Sequence, residues 1–167
     1  MTGQRRDEIG SLRWDEIDFD AALISLPPKR TKNRREHQIP LAPAGLAVLK
    51  KRQRVRDHVF GKRANGYQGW SASKAPLDQR LSIADWRLHD LRRTVSTIMH
   101  DALGIAPHVV EAVLNHVSGH KLGVAGVYNR ARYEAQKRHA LNAWADHLLA
   151  LVESRGAVAT VVPLHGT

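Results

Sequence analysis

The sequence predicts an α+β fold, a mostly helical domain with a small antiparallel β-sheet near Ile17–Leu41 packed beside the helices. Three observations carry that prediction. Apolar residues recur at spacings of three and four over much of the second half. Three short apolar runs separated by turn residues occupy the stretch before Leu41. A chain of 167 residues is long enough for one domain with a real core.

Residues 1–13 read as the end of a loop and a short helix, capped by Thr2 and Gly3 and apolar at Ile9 and Leu12. Arg5 and Glu8 lie three apart on it, which by itself implies only a surface ion pair worth under about 1 kcal/mol. Ile17 and Phe19 alternate with acids, Ala22–Leu26 is a second apolar run and Gln38–Leu41 a third, with Pro27 and Pro28 ending a strand. The turn between the last two runs, KRTKNRREH, has Asn33 near its tip and is basic enough to enter a DNA groove. Taken locally, Lys32 in that turn reads equally well as a phosphate contact.

Pro43–Asp57 reads as a helix, apolar at Leu46, Val48 and Leu49 and basic over Lys50–Arg56. His58–Pro76 reads as an irregular loop that folds against DNA, Leu77–Ile83 as a short helix, and Trp86 as core packing. The next helix carries His89 and Arg92 three apart, with Leu91, Val95, Ile98 and Ala102 as the buried stripe and the imidazole and guanidinium facing outward. Gly104 ends it and Pro107 opens another helix, whose apolar residues are Val109, Val110, Val113 and Leu114 and whose end is His116. A loop with Gly119 and Gly123 leads to Tyr128. Ala131–Glu153 is a long amphipathic helix with Leu141, Trp144, Leu148 and Leu151 on one side. The tail holds a β-prone run, Val158–Leu164, expected to dock on a sheet edge.

Charge narrows the function. The segment Lys29–Arg63 holds 12 basic residues and two acids, which equals the whole net charge of +10, so the remainder is neutral. Charge focused in this way fits a polyanion, and an aromatic content of 5% disfavours a surface that stacks unpaired bases. Duplex DNA held by its phosphates is the expected partner, through Lys29, Arg30, Arg34, Arg35, Arg52 and Arg54. The absence of cysteine excludes disulfides and thiolate metal sites. His116 and His120 are four apart, but Gly119 lies between them, so no metal or other cofactor is expected. No run approaches the roughly 20 apolar residues of a membrane span. A cytoplasmic, nucleoid-associated protein is the expectation.

Four separated motifs resemble the catalytic domain of the tyrosine recombinases, in particular the phage-type integrases. TGQRRDEI at Thr2–Ile9 resembles the segment of the first catalytic arginine, here Arg5, with Glu8 as supporting acid. RTKNRREHQIPL at Arg30–Leu41 resembles the hairpin of the catalytic lysine, here Lys32. HDLRRT resembles the His-x-x-Arg motif and gives His89 and Arg92; LNHVSG resembles the Leu-Gly-His motif, with Asn115 in place of glycine, and gives His116. GVAGVYNR then holds the nucleophile, Tyr128, with Tyr133 the next candidate.

The resemblance implies a mostly α-helical tyrosine-recombinase catalytic domain with a small antiparallel sheet over residues 1–167. It implies a fragment lacking the family's N-terminal core-binding domain. It also implies self-association on double-stranded DNA, as a tetramer in the full-length context. Arg5, Lys32, His89, Arg92 and His116 are then expected to face one basic cleft, with Tyr128 outside it. Two other readings stay open: a DNA-binding remnant without cleavage activity, and a topoisomerase of type IB.

Overall fold

The computed structural model describes residues 1–81, 83, 85–116 and 132–157. Tyr128, His120 and the tail run Val158–Leu164 lie outside them. The described helices are α1 (Arg6–Gly10), α2 (Pro43–Lys50), α3 (Trp70–Arg80), α4 (Leu88–Asp101), α5 (Pro107–Val113) and α6 (Arg132–Ala157). The strands are β1 (Ile17–Asp18), β2 (Leu23–Leu26) and β3 (His37–Pro40). None of these helices is long and apolar enough to cross a membrane.

The expected sheet is present as an antiparallel meander in the order β1-β2-β3. Its register opposes Ile24 to Ile39 and Leu26 to His37. Alternation along the strands then puts Ile24, Leu26, Ile39 and His37 on the buried face. A polar ring therefore enters the core because of where it falls in the register. α6 packs against α5 and β3. It contributes Leu141, Trp144 and two alanines, Ala140 and Ala145, small enough for close approach. The stripe fades toward its end, where Leu151 is 45% exposed.

Four expectations need correction. Thr2 and Gly3 do not cap α1: the N-cap is Arg5, whose side chain makes no capping hydrogen bond to the helix's first turn. Gly3 instead has φ +64°, and a Cβ there would lie 2.9 Å from Val95 Cγ1, so its role is close approach to α4. α2 stops at Lys50 rather than Asp57. Beyond Leu49 the sequence offers no further apolar face, and cations four apart, such as Lys50 and Arg54 or Arg52 and Arg56, repel on a helix.

The stretch read as loop, His58–Pro76, contains most of α3. None of α3's residues is buried and Pro76 lies inside it, so neither periodicity nor breaker rules reveal it. Its start is fixed by Trp70, packed edge-on to Tyr67 and against Gly10, and further along Lys74 pairs with Asp78 at 2.7 Å.

The last correction concerns α4. Its buried residues are Arg92, Val95 and Met99, whereas Leu91 is 57% exposed. The helix is rotated from the expected stripe, and the guanidinium points into the protein. Arginine tolerates that position because its aliphatic stem packs and its head finds carbonyl acceptors.

Candidate functional site

The site is assembled on the C-terminal end of α5. A short helix leaves its last carbonyls without partners and carries partial negative charge there. Arg92 fills this need from α4: one terminal nitrogen donates to the Leu114 carbonyl and the other to the Gly3 carbonyl at 2.9 Å. Arg5 donates to the next carbonyl, that of Asn115, at 3.4 Å and to Glu8 Oε1 at 3.2 Å. Two guanidiniums, 87 positions apart in sequence, thus rest on consecutive carbonyls. Burial, and then the neighbouring Arg5 charge, push the Arg92 guanidinium down to about 10, with Glu8 opposing, so it stays cationic at neutral pH.

His89, Arg92 and His116 line one cleft of about 410 Å³, together with Glu111, His100 and Leu114. His89 stands on the first turn of α4 and is exposed. The His116 backbone N–H donates to Glu111 O at 2.9 Å, which fixes where its ring leaves the chain.

Lys32 approaches from the β2–β3 turn. Its backbone N–H donates to Glu8 Oε1 at 3.3 Å, the oxygen that also holds Arg5. Its side chain is exposed. Glu8 is 4% exposed, its Oε2 has no hydrogen-bond partner among the described residues, and its Oε1 ties the first arginine to the lysine turn. Arg5, Glu8, Lys32, Arg92 and His116 are therefore linked through shared acceptors or adjacent backbone, and His89 shares the cleft with two of them. Tyr128 lies outside the described residues. Tyr133 is half-buried at the start of α6, its ring 5.7 Å from that of His108.

The basic residues divide. Arg30 turns inward, donating to Glu16 at 2.7 Å, to Ser11 Oγ and O at 2.7 Å each and to the Glu8 carbonyl at 3.1 Å. It braces α1 against the Trp14–Glu16 turn, and its donors are engaged there. Lys29, Arg34, Arg35, Arg52 and Arg54 are exposed. Arg52 lies over the Phe60 ring at 5.5 Å and Arg54 over the Trp14 ring at 6.0 Å. Beside Arg52 a cavity of about 460 Å³ is lined by Lys51, Arg52, Arg56, His58 and Lys62.

Sequence reasoning missed the layer behind the cleft. Gln4 donates to the Thr2 and Val113 carbonyls at 2.8 and 2.9 Å, and its Oε1 meets His37 Nε2 at 3.0 Å. Burial first, then the Lys137 charge, hold His37 down to about 3, so it is neutral. Lys137 is itself 9% exposed and donates to the Gln38 carbonyl on the edge strand. Burial pushes its ammonium pKa down. Its signal was present in the sequence: Lys137 precedes Leu141 by four, on the same stripe as Trp144 and Leu148.

Known proteins resemble this chain in sequence and in fold. The chain is 33% identical over 151 residues to the prophage integrase IntA of Escherichia coli strain K12, covering 87% of the chain and 36% of that protein. It is 30% identical over 162 residues to prophage integrase IntZ of the same strain, covering 93% of the chain and 39% of that protein. The chain thus spans a little over a third of the length of these curated relatives. The solved integrase from mycobacterium phage Brujita superposes with a TM-score of 0.64 at 17% identity, over 86% of this chain and 47% of that one, a likeness of fold. Residues 1–134 match the model of the phage integrase family. A match over that much of the chain, on a fold that a phage integrase shares, means that this chain belongs to the phage integrase family.

Proposed function

We propose that this chain carries the catalytic machinery of a site-specific DNA recombinase that cuts and rejoins double-stranded DNA through a tyrosine. The observation that carries the reading is the convergence of Arg5 and Arg92 on consecutive carbonyls beside a cleft lined by His89 and His116. Two cations anchored by backbone do not reorganise when charge develops on a phosphate, which is the condition for electrostatic stabilisation.

In the proposed reaction the Tyr128 oxygen attacks a DNA phosphorus and the bond to the 5′-oxygen breaks. The products are a 3′-phosphotyrosyl link and a free 5′-hydroxyl. His89 accepts the phenol proton, and the Lys32 ammonium gives a proton to the leaving 5′-oxygen. Arg5, Arg92 and His116 donate to the non-bridging oxygens, each such stabiliser being worth about 2.7–4 kcal/mol. The covalent link conserves the bond energy, so rejoining needs no ATP. The arginines supply the positive charge, and no step is routed through a metal. The exposed cations of residues 29–63 hold neighbouring phosphates, and strand exchange requires self-association on DNA, as a tetramer in the full-length context.

The test is incubation with a nicked suicide duplex, in which the short downstream strand released with a free 5′-hydroxyl diffuses away and leaves the adduct trapped. The expected result is a covalent protein–DNA species that Tyr128→Phe abolishes with little change in binding. An adduct that persists in that variant moves the nucleophile elsewhere, first to Tyr133. Binding without any adduct from the unaltered chain favours a DNA-binding remnant, a reading supported by the +10 charge.

A further inference from the structure

Asn115 stands where the resembling motif has glycine, and its φ is +48°. That left-handed conformation favours glycine, and asparagine tolerates it better than most other side chains. The side chain so retained meets Asn33, 82 positions earlier at the tip of the β2–β3 turn. Asn33 Nδ2 donates to Asn115 Oδ1 at 2.7 Å and to the Asn115 carbonyl at 3.2 Å, and Asn115 Nδ2 donates back to Asn33 Oδ1 at 3.2 Å. Asn33 Oδ1 also accepts from the Arg35 N–H at 3.2 Å, so the contact is continuous with the turn's own bonding. The turn is held from inside by buried Thr31, whose Oγ1 donates to the Arg35 carbonyl at 2.7 Å.

The neighbours of this amide pair give it meaning. Lys32 precedes Asn33, and His116 follows Asn115. The Asn115 carbonyl accepts from both Arg5 and Asn33. One backbone carbonyl is therefore the meeting point of the first arginine, the lysine turn and the second histidine.

We propose that the Asn33–Asn115 pair is a positioning clasp that fixes the Lys32 turn to the Arg5–His116 side of the cleft and so sets the approach of the Lys32 ammonium to the leaving oxygen. The assignment of a purpose to the clasp rests on the reading of Lys32 as general acid. Its mechanical part does not.

Two measurements test the two parts. The first is amide hydrogen exchange followed by NMR across the clasp, away from the altered residue. Asn115→Gly keeps the left-handed backbone and its carbonyl but removes the side-chain pairing. It is expected to speed exchange at Lys32 and Arg34 about tenfold, the scale of one lost net hydrogen bond. Asn33→Ala is expected to do the same at Asn115 and His116, while amides in the middle of α4 and α6 keep their rates. Unchanged rates across the clasp in both variants would overturn the proposal.

The second is cleavage of a duplex whose scissile 5′-oxygen is replaced by sulfur, a leaving group that needs no proton. Lys32→Ala and Asn115→Gly should both lose cleavage on the oxygen duplex and recover on the sulfur duplex. If Lys32→Ala fails to recover, the reading of Lys32 is wrong and the clasp loses its catalytic purpose. If Lys32→Ala recovers and Asn115→Gly does not, the reading of Lys32 stands and the clasp proposal falls.

Discussion

The cations of the cleft and those of the basic segment are held in different ways. Arg92 donates to the Gly3 and Leu114 carbonyls and Arg5 to that of Asn115, which Asn33 also reaches, so both guanidiniums are held by backbone acceptors. Arg34 and Arg35 extend into solvent, while Arg52 and Arg54 rest over aromatic faces that leave their edges open. The first arrangement is preorganised and suits a transition state; the second is adaptable and suits displacement of counterions from DNA. The net charge of the chain comes from residues 29–63, whereas both braced arginines lie in parts of the sequence that are neutral in sum. Where the charge is concentrated and where it is fixed are separate questions.

Arg92→Ala should have the largest effect, lowering single-turnover cleavage at saturating DNA by about 10²–10³-fold. Affinity should change far less, because the contact strengthens as charge develops. Arg92→Lys should fail nearly as badly, since one ammonium cannot span the Gly3 and Leu114 carbonyls and still face a phosphate. Equal losses in cleavage and affinity would erase the distinction between the two sets of cations.

Neutralising Arg34, Arg35, Arg52 and Arg54 together should do the reverse. Each lost phosphate contact reduces the log–log salt slope of binding by about 0.9, so four reduce it by up to ~3.6. Cleavage at saturating DNA should hold. An unchanged slope would make the segment a solvated face.

The sharpest form of the comparison lies within one turn. Arg30 and Arg34 are four residues apart, and only Arg30 is committed inward, to buried Glu16 and to backbone oxygens. Arg30→Ala should cost about 2 kcal/mol of unfolding free energy, the scale of lost hydrogen bonds between charged groups. Arg34→Ala should stay within about 0.5 kcal/mol. Denaturant titration of both variants measures the difference.

Much of this was legible in the sequence. The meander followed from Ile17, Ala22–Leu26 and Gln38–Leu41, because period-two burial leaves a direct trace. Glycine and proline marked the α4–α5 junction at Gly104 and Pro107. What stayed hidden depended on tertiary partners. Arg92 reads as an outward cation unless the Leu114 and Gly3 carbonyls are known to wait beneath it. α3 buries no residue, so hydrophobic periodicity carries no record of it. Asn33 and Asn115 look unrelated at a distance of 82 positions, although an asparagine in a glycine's place hinted at a left-handed residue.

The buried side of the cleft yields an effect that pH alone reveals. His37 is 4% exposed, and its folded pKa of about 3 lies well below the ordinary value near 6.5. Burial is the main cause; the charges of Lys137, Arg92 and Arg5 add to it, and a hydrogen bond with the Val113 backbone only partly offsets them. Between pH 6.5 and 3 the unfolded chain therefore binds a proton that the folded chain refuses. The stability due to neutral His37 is complete above pH 6.5 and is lost progressively as pH falls toward 3, with a slope of up to about 1.4 kcal/mol per pH unit. The window from pH 6.5 to 5 lies above the range in which ordinary carboxylates titrate. His37→Gln keeps a donor for Gln4 Oε1 but cannot take a proton, so its melting temperature should decline less steeply across that window. Parallel declines in the two proteins would mean that His37 is not the group excluded from protonation, and that the cations at the cleft do not reach it.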